Sequence, residues 1–323
     1  MPNTGLDSWL GLETESTWGT DAASSRDWIH FVSEGIRLTA DRTRGSRSLG
    51  KMTPGARRLY NRRGAGDITL DMYYQGAELL LWHLLGGKSV SGIGPYTHVF
   101  SPSLASRPAG LTLEIQQGLL KTILTGGKIN KLDLSFTQEI LEGVFGVSSK
   151  HGAITAAVGS PTYIDDVAPE IVPLEETYAT RGLDFKLDTV ATDIIEGGLN
   201  ISLPVTENRG ILSEPDMTEQ LISDFLSAEG SFTREYDDIA NFTKYDAMTR
   251  HVLEFNYISE AVGPTHATEY EFKVKLYACQ LLEAKPPTEG PTAITEVIPF
   301  VCEPDSSGNI LDVTIVNERV SIS

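Results

Sequence analysis

The residues that could do chemistry in this chain are few, and their spacing argues against most reactions. Six histidines, His30, His83, His98, His151, His251 and His266, are scattered without metal-ligand spacing. Asp165–Asp166 and Asp237–Asp238 are adjacent carboxylates. Neighbours on a strand point to opposite faces, so such pairs read as turn or helix-start residues. A glycosidase-type acid pair would need two carboxylates brought together from elsewhere, which sequence alone does not place. Cys279 and Cys302 are too few for a disulfide framework and read as buried thiols in a protein assembled in a reducing compartment. There is no phosphate loop of the Walker type, no strand–GxGxxG–helix unit and no Gly-x-Ser-x-Gly elbow. The expectation is a non-enzyme with no metal and no cofactor.

One segment is chemically distinctive in another way. Arg42–Gly66 reads RTRGSRSLGKMTPGARRLYNRRGAG and carries Arg42, Arg44, Arg47, Lys51, Arg57, Arg58, Arg62 and Arg63. It lies between a strand ending near Thr39 and one starting at Asp67, which makes it a long hairpin loop. Its only aromatic is Tyr60, so the stacking platforms of a nucleic-acid groove are missing. Docking onto an acidic surface of another subunit ranks just ahead of a plain solvated loop, and nucleic-acid binding ranks third. The acidic surface is at hand. Residues 1–150 carry 16 Lys+Arg against 14 Asp+Glu, and residues 151–323 carry 10 against 30. The net charge of −18 repels phosphate backbones.

The elements that must position these residues are mostly strands. Ile68, Leu70, Met72 and Tyr74 alternate with Asp67, Thr69, Asp71 and Tyr73. The same period of two recurs in Leu132–Phe136, Leu183–Leu187, Leu199–Val205 and Tyr270–Leu276. One apolar face per strand means antiparallel, half-buried sheets, packed as sandwiches or barrels. Two short helices are expected. Gly76–Leu85 puts Leu81, Leu84 and Leu85 at helical spacing for core packing, stopped by Gly86–Gly87. Asp237–Met248 is the second, with Ile239 and Phe242 three apart. His83 in the first helix reads as exposed or hydrogen-bonded. Both helices follow a strand, in DITLDMYYQGAELLLWHLLG and again in SFTREYDDIANFTKYDAM. The chain therefore reads as mainly β with one strand–helix–strands unit used twice. The first unit spans 1–150, a Pro- and small-residue linker 151–177, and the second unit 178–323 with an extension from 286. No apolar run reaches the length of a membrane span, and no secretion signal opens the chain.

In order along the chain, GLETESTWGT, WIHFVSEGIRLTADR, the Arg/Gly-rich loop, GDITLDMYYQGAELLLWHLLG, YTHVF, LTLEI, TGGKINKLDLSF, LDFKLDTV, GGLNISLP and GSFTREY resemble the tail tube proteins of long-tailed bacteriophages. The resemblance covers roughly Gly11 to Tyr277 and leaves Pro286–Ser323 unmatched. It implies a structural virion protein, made in the host cytoplasm, whose rings stack into a hollow tube with an inner β-barrel wall. It implies hexameric rings or, for a duplicated chain, trimeric pseudo-hexameric ones. Implied partners are the chain itself, the tape-measure protein and DNA in the lumen, and tail terminator and tail-tip proteins, without membrane insertion. Two other readings stay open: a tail-tip or hub protein of the same fold, and a carbohydrate-binding or glycan-cleaving β-sandwich. Trp9, Trp18 and Trp28 fit the anchoring of a terminal segment better than a glycan platform.

Overall fold

Alternating strands that bury one face each must find both edge partners and a covering layer, and this chain supplies the covering layer and most of the edge partners from its own repeats. The structure is a computed structural model that describes residues 8–22, 26–43, 57–137, 140–150, 152–156, 183–206, 216–236, 240–261, 269–282, 294–320 and 322. The first half holds β1 (Ser8–Glu15), β2 (Asp27–Ile29), β3 (Ser33–Glu34), β4 (Arg37–Thr43), β5 (Arg58–Asp71) and α1 (Glu78–Leu85). These are followed by β6 (Gly86–Ser91), β7 (Tyr96–Pro102), β8 (Gly110–Gln117), β9 (Leu120–Phe136), β10 (Glu142–Lys150) and β11 (Ala153–Ala156). The second half holds β12 (Leu183–Leu187), β13 (Val190–Ala191), β14 (Glu196–Ser202), β15 (Ser227–Glu235) and α2 (Ala240–Asp246). It ends with β16 (Arg250–Ala261), β17 (Glu269–Leu281), β18 (Thr295–Cys302) and β19 (Leu311–Asn317). The fold is mainly β, antiparallel, and among the described residues its sheet does not close into a barrel within one chain.

The pairing pattern occurs twice. In the first half β1 pairs β2 and β8, β4 pairs β5, β5 pairs β10, and β9 pairs β8, β10 and β11. In the second half β12 pairs β13 and β16, β14 pairs β15, β15 pairs β18, and β17 pairs β16, β18 and β19. Substituting β12, β13, β14, β15, β16, β17, β18 and β19 for β1, β2, β4, β5, β8, β9, β10 and β11 turns one list into the other. The helices α1 and α2 follow the equivalent strands β5 and β15. The hairpin β6–β7 has no counterpart and pairs with β19, across the halves.

Register makes the equivalence residue by residue. Aligning the ends of β5 and β15 sets Gly66 on Gly230 and Ile68 on Phe232, both of the latter buried. It sets Ser33–Thr39 (SEGIRLT) on Glu196–Ser202 (EGGLNIS), and so Gly35 on Gly198. A Cβ on Gly66 would lie 2.4 Å from the Gly35 carbonyl oxygen, and one on Gly230 would lie 2.2 Å from that of Gly198. The same backbone approach is therefore built twice. Gly66→Ala and Gly230→Ala should each cost about 1–3 kcal/mol, the usual penalty of overpacking. Thermal unfolding checks this, and an unchanged midpoint for either variant would show that the strands part freely there.

Two layers result. One runs β4–β5–β10–β9–β14–β15–β18, using the second half of β9. The other runs β13–β12–β16–β17–β19–β7–β6. They join where the end of β17 pairs β18. Between them Phe136 stacks on Phe255 at 4.5 Å, and Phe185 packs on Phe232 and on Phe255, both at 4.9 Å. Aromatic pairs at such distances add to their area burial, which fixes the sandwich spacing. The first half of β9 turns away to form β2–β1–β8–β9–β11, and its Leu124 lies over Gly64 of β5.

Helix α1 plugs the first repeat. Leu81, Leu84 and Leu85 are buried, as is every other residue of the helix except Trp82. His83 is buried too, with a ring nitrogen 3.3 Å from Thr14 Oγ1, and burial holds its pKa well below the usual histidine value. The Arg107 guanidinium donates to the His83 and Leu84 carbonyls, capping the helix end. Helix α2 differs from expectation. Its buried residue is Asn241, which donates to Glu296 at 2.7 Å, and Phe242 is half exposed. Phe242, the described half of the expected apolar pair, does not enter the core, and the β15–β18 sheet below presents the Glu296 carboxylate, which takes the Asn241 amide as its partner. Ile239 lies outside the described residues, as do Asp165–Asp166 and Asp237–Asp238. The C-terminal strand and the residues just after it tie the halves together through Asn317, which donates to the Tyr74 carbonyl, and Arg319, which pairs with Asp27 and Glu78.

Candidate functional site

The long sheet β4–β5–β10–β9–β14–β15–β18 has one buried and one open face, and carboxylates outnumber basic groups on the open one. Inward residues such as Ile68, Phe145, Leu134, Leu199 and Phe232 are buried. The alternate positions carry Asp67, Asp71, Glu142, Asp133, Glu196, Glu229 and Glu235 on the outer face. Lys131 lies in their midst and sits in an ion pair with Asp133, whose hydrogen bond holds the ammonium pKa above its usual value. Arg37, Arg63 and Lys150 gather at one corner, where Arg63 pairs Asp41 at 3.4 Å. Glu142 stands directly opposite Asp71, and partial burial raises the Asp71 carboxyl pKa. Like charges facing each other oppose stability, so this face is not arranged to stabilise the fold.

The sheet ends in two unfilled edges among the described residues. At one end β4 pairs only β5. At the other, β18 pairs β17 through residues 300–302 and leaves 295–298 without that partner. Exposed edges of this kind pair with other chains unless they are blocked. The middle of the same sheet shows how. There β14, the equivalent of β4, pairs the second half of β9 from Gly197↔Phe136 to Ser202↔Lys131, and Leu203 N donates to the Asn130 carbonyl at 2.8 Å.

The basic segment is shorter as a loop than the sequence implies. Strand β4 runs to Thr43 and β5 starts at Arg58, so Arg42, Arg58, Arg62 and Arg63 lie on strands and Arg57 just before one. The period-two signal is hidden because Gly64 and Gly66 occupy inward positions that would normally be apolar. Arg62 Nε donates to Asp216 Oδ1 at 2.6 Å, and the two residues also form a parallel bridge, so this arginine is spoken for within the chain. Arg42 and Arg57 are exposed. Arg44, Arg47 and Lys51 lie outside the described residues. Residues 153–156, inside the expected linker, form β11 on β9.

Elsewhere His251 bridges Thr249 at 2.7 Å and Asp188 at 2.5 Å. Asp188 also accepts from the Val252 amide, and Thr249 donates to the Lys244 carbonyl, so the three tie the end of β12 to the start of β16. Among the described residues no group of three or more His, Cys, Asp or Glu is placed to hold a metal ion, and no helix is long and apolar enough to cross a membrane. The residues of the acidic face and the two edges were missed in the sequence, because only the pairing of β3 and β4 on β5 and of β14 on β15 brings SEGIRLT into line with EGGLNIS.

No curated protein matches this chain. The profile of a family described as phage tail tube protein matches residues 5–302 of the 323, and the chain belongs to that family.

Proposed function

We propose, starting from its place among phage tail tube proteins, that this chain forms rings by repeating between copies the junction it makes within itself. One observation carries the reading. The second repeat offers β14 to the first repeat's β9, and the equivalent strand β4 has an open outer edge among the described residues. A second copy's β4 would then join the β17–β18 end of this chain. Such a head-to-tail contact closes into a ring if the rotation per unit divides the circle. With two repeats per chain, three copies give a pseudo-hexameric ring whose wall is the continued long sheet. Closure removes the free edges.

In that ring the acidic face becomes the lumen wall. A wall of carboxylates repels phosphate, so DNA passes without sticking. The tape-measure protein fills the same lumen during assembly in the host cytoplasm, and the tube's ends meet terminator and tail-tip proteins in the virion. Arg42 and Arg57, with Arg44, Arg47 and Lys51, dock on acidic surface of the next ring. Electron microscopy of the purified chain tests this. Tubes of uniform width should form, shorten as salt screens the ring-to-ring ion pairs over about 10 Å at 0.1 M, and retain no duplex DNA. Tight, salt-sensitive DNA binding by assembled tubes would overturn the conduit reading.

A further inference from the structure

The two cysteines of the chain sit directly opposite each other at the corner where the sandwich layers join. Cys279 of β17 is in register with Cys302 of β18. Their sulfurs are 2.6 Å apart, and both residues are buried. The hydrogen bonds on either side define the type of pair. Glu303 N donates to the Ala278 carbonyl and Leu282 N to the Pro299 carbonyl, so the cysteine pair falls on a non-hydrogen-bonded position. There the strands approach most closely, with Cα atoms about 4.5 Å apart, inside the range that a disulfide spans.

The first repeat offers a contrast. The position equivalent to Cys302 is Ser149, whose hydroxyl donates to the Gly64 and Lys150 carbonyls. In that repeat the β9–β10 pairing runs over seven residue pairs, and among the described residues β17–β18 runs over three. The sulfur pair of the second repeat sits on the β17–β18 ladder at the corner itself. We propose that Cys279 and Cys302 form an intrachain disulfide once the protein meets an oxidising medium, stapling β17 to β18. The proposal does not depend on ring formation.

The chemistry balances as thiol–disulfide exchange with a small-molecule disulfide. The Cys302 thiolate, at the less enclosed position, attacks one sulfur of the oxidant, whose S–S bond breaks and releases one thiolate. The Cys279 thiolate then attacks Cys302 in the mixed disulfide and releases the second. Two protein thiols are oxidised, one disulfide is reduced to two thiols, and the two cysteine protons pass through solvent to the released thiolates. The neighbouring Cys302 sulfur, and then burial, push the Cys279 thiol pKa up, so thiolate is scarce and the exchange is slow. A glutathione-poised compartment keeps the pair reduced.

Oxidised glutathione is the probe. The chain is exposed to it both folded and during refolding from denaturant, then unfolded with a thiol trap and weighed. The expected product has no free thiol, has lost the mass of two hydrogens and carries no adduct. Its thermal midpoint should rise by about 5 °C, from closing a loop of about two dozen residues in a chain of this length. Reductant should reverse the shift, and the Cys279→Ala/Cys302→Ala variant should show no redox dependence. Two trapped thiols in both arms, a persistent glutathione adduct, or a link between chains would each overturn the proposal.

Discussion

Leu81→Asp is expected to leave no folded first repeat. Leu81 is fully buried in α1, among Leu80, Leu84 and the strands that the helix covers. The substitution removes a leucine side chain, worth about 2–5 kcal/mol when truncated in a core. It also places a carboxyl group in an apolar site, where it must either stay charged at high cost or take up a proton. Together these approach the whole stability of a domain, roughly 5–15 kcal/mol. Circular dichroism and thermal unfolding should show no cooperative transition above that of the second repeat, and Leu84→Asp should behave alike. A soluble variant that unfolds cooperatively near the wild-type midpoint would remove α1 from the core.

Ala40→Pro should separate folding from assembly. Ala40 sits at the register shift between Thr39 and Asp41, so it has no partner on β5. Its equivalent in the second repeat is Leu203, whose amide donates to the Asn130 carbonyl across the junction between repeats. On the proposed reading the Ala40 amide makes the same bond to the next copy. Proline removes that donor, and bulges and edge strands tolerate it. The lost bond is worth about 1 kcal/mol, and the proline ring adds a clash at every junction of the ring. The expected product is a folded monomer with a near-wild-type melting curve and no rings by light scattering. Normal ring formation would show that the β4 edge is not where copies meet.

The sequence disclosed the strands wherever alternation was complete. Leu132–Phe136 and Tyr270–Leu276 read correctly because their inward positions are apolar and their outward ones polar. It failed where glycine replaced an inward side chain. Gly64 and Gly66 hid the first half of β5 and turned a strand carrying Arg58, Arg62 and Arg63 into an apparent loop. The strand–helix repeat was visible in DITLDMYYQ and SFTREYDDI. The matching repeat in β4 and β14 was not, because a register offset separates SEG from EGG and only pairing with β5 and β15 aligns them. The acidic face was out of reach for a different reason. Seven carboxylates from five strands meet only through long-range pairings, which spacing along the chain does not encode. Cys279 and Cys302 likewise gave no sign of being neighbours, since the register of β17 on β18 alone brings them together.

The claim at the centre is that copies join by the same edge pairing that joins the two repeats of one chain. Native mass spectrometry of rings released from purified tubes tests it most directly, with class averages of the same rings viewed end on. The account predicts three chains per ring with six-fold modulation of the wall. Six chains per ring, or a chain that stays monomeric at every salt and protein concentration, would contradict it.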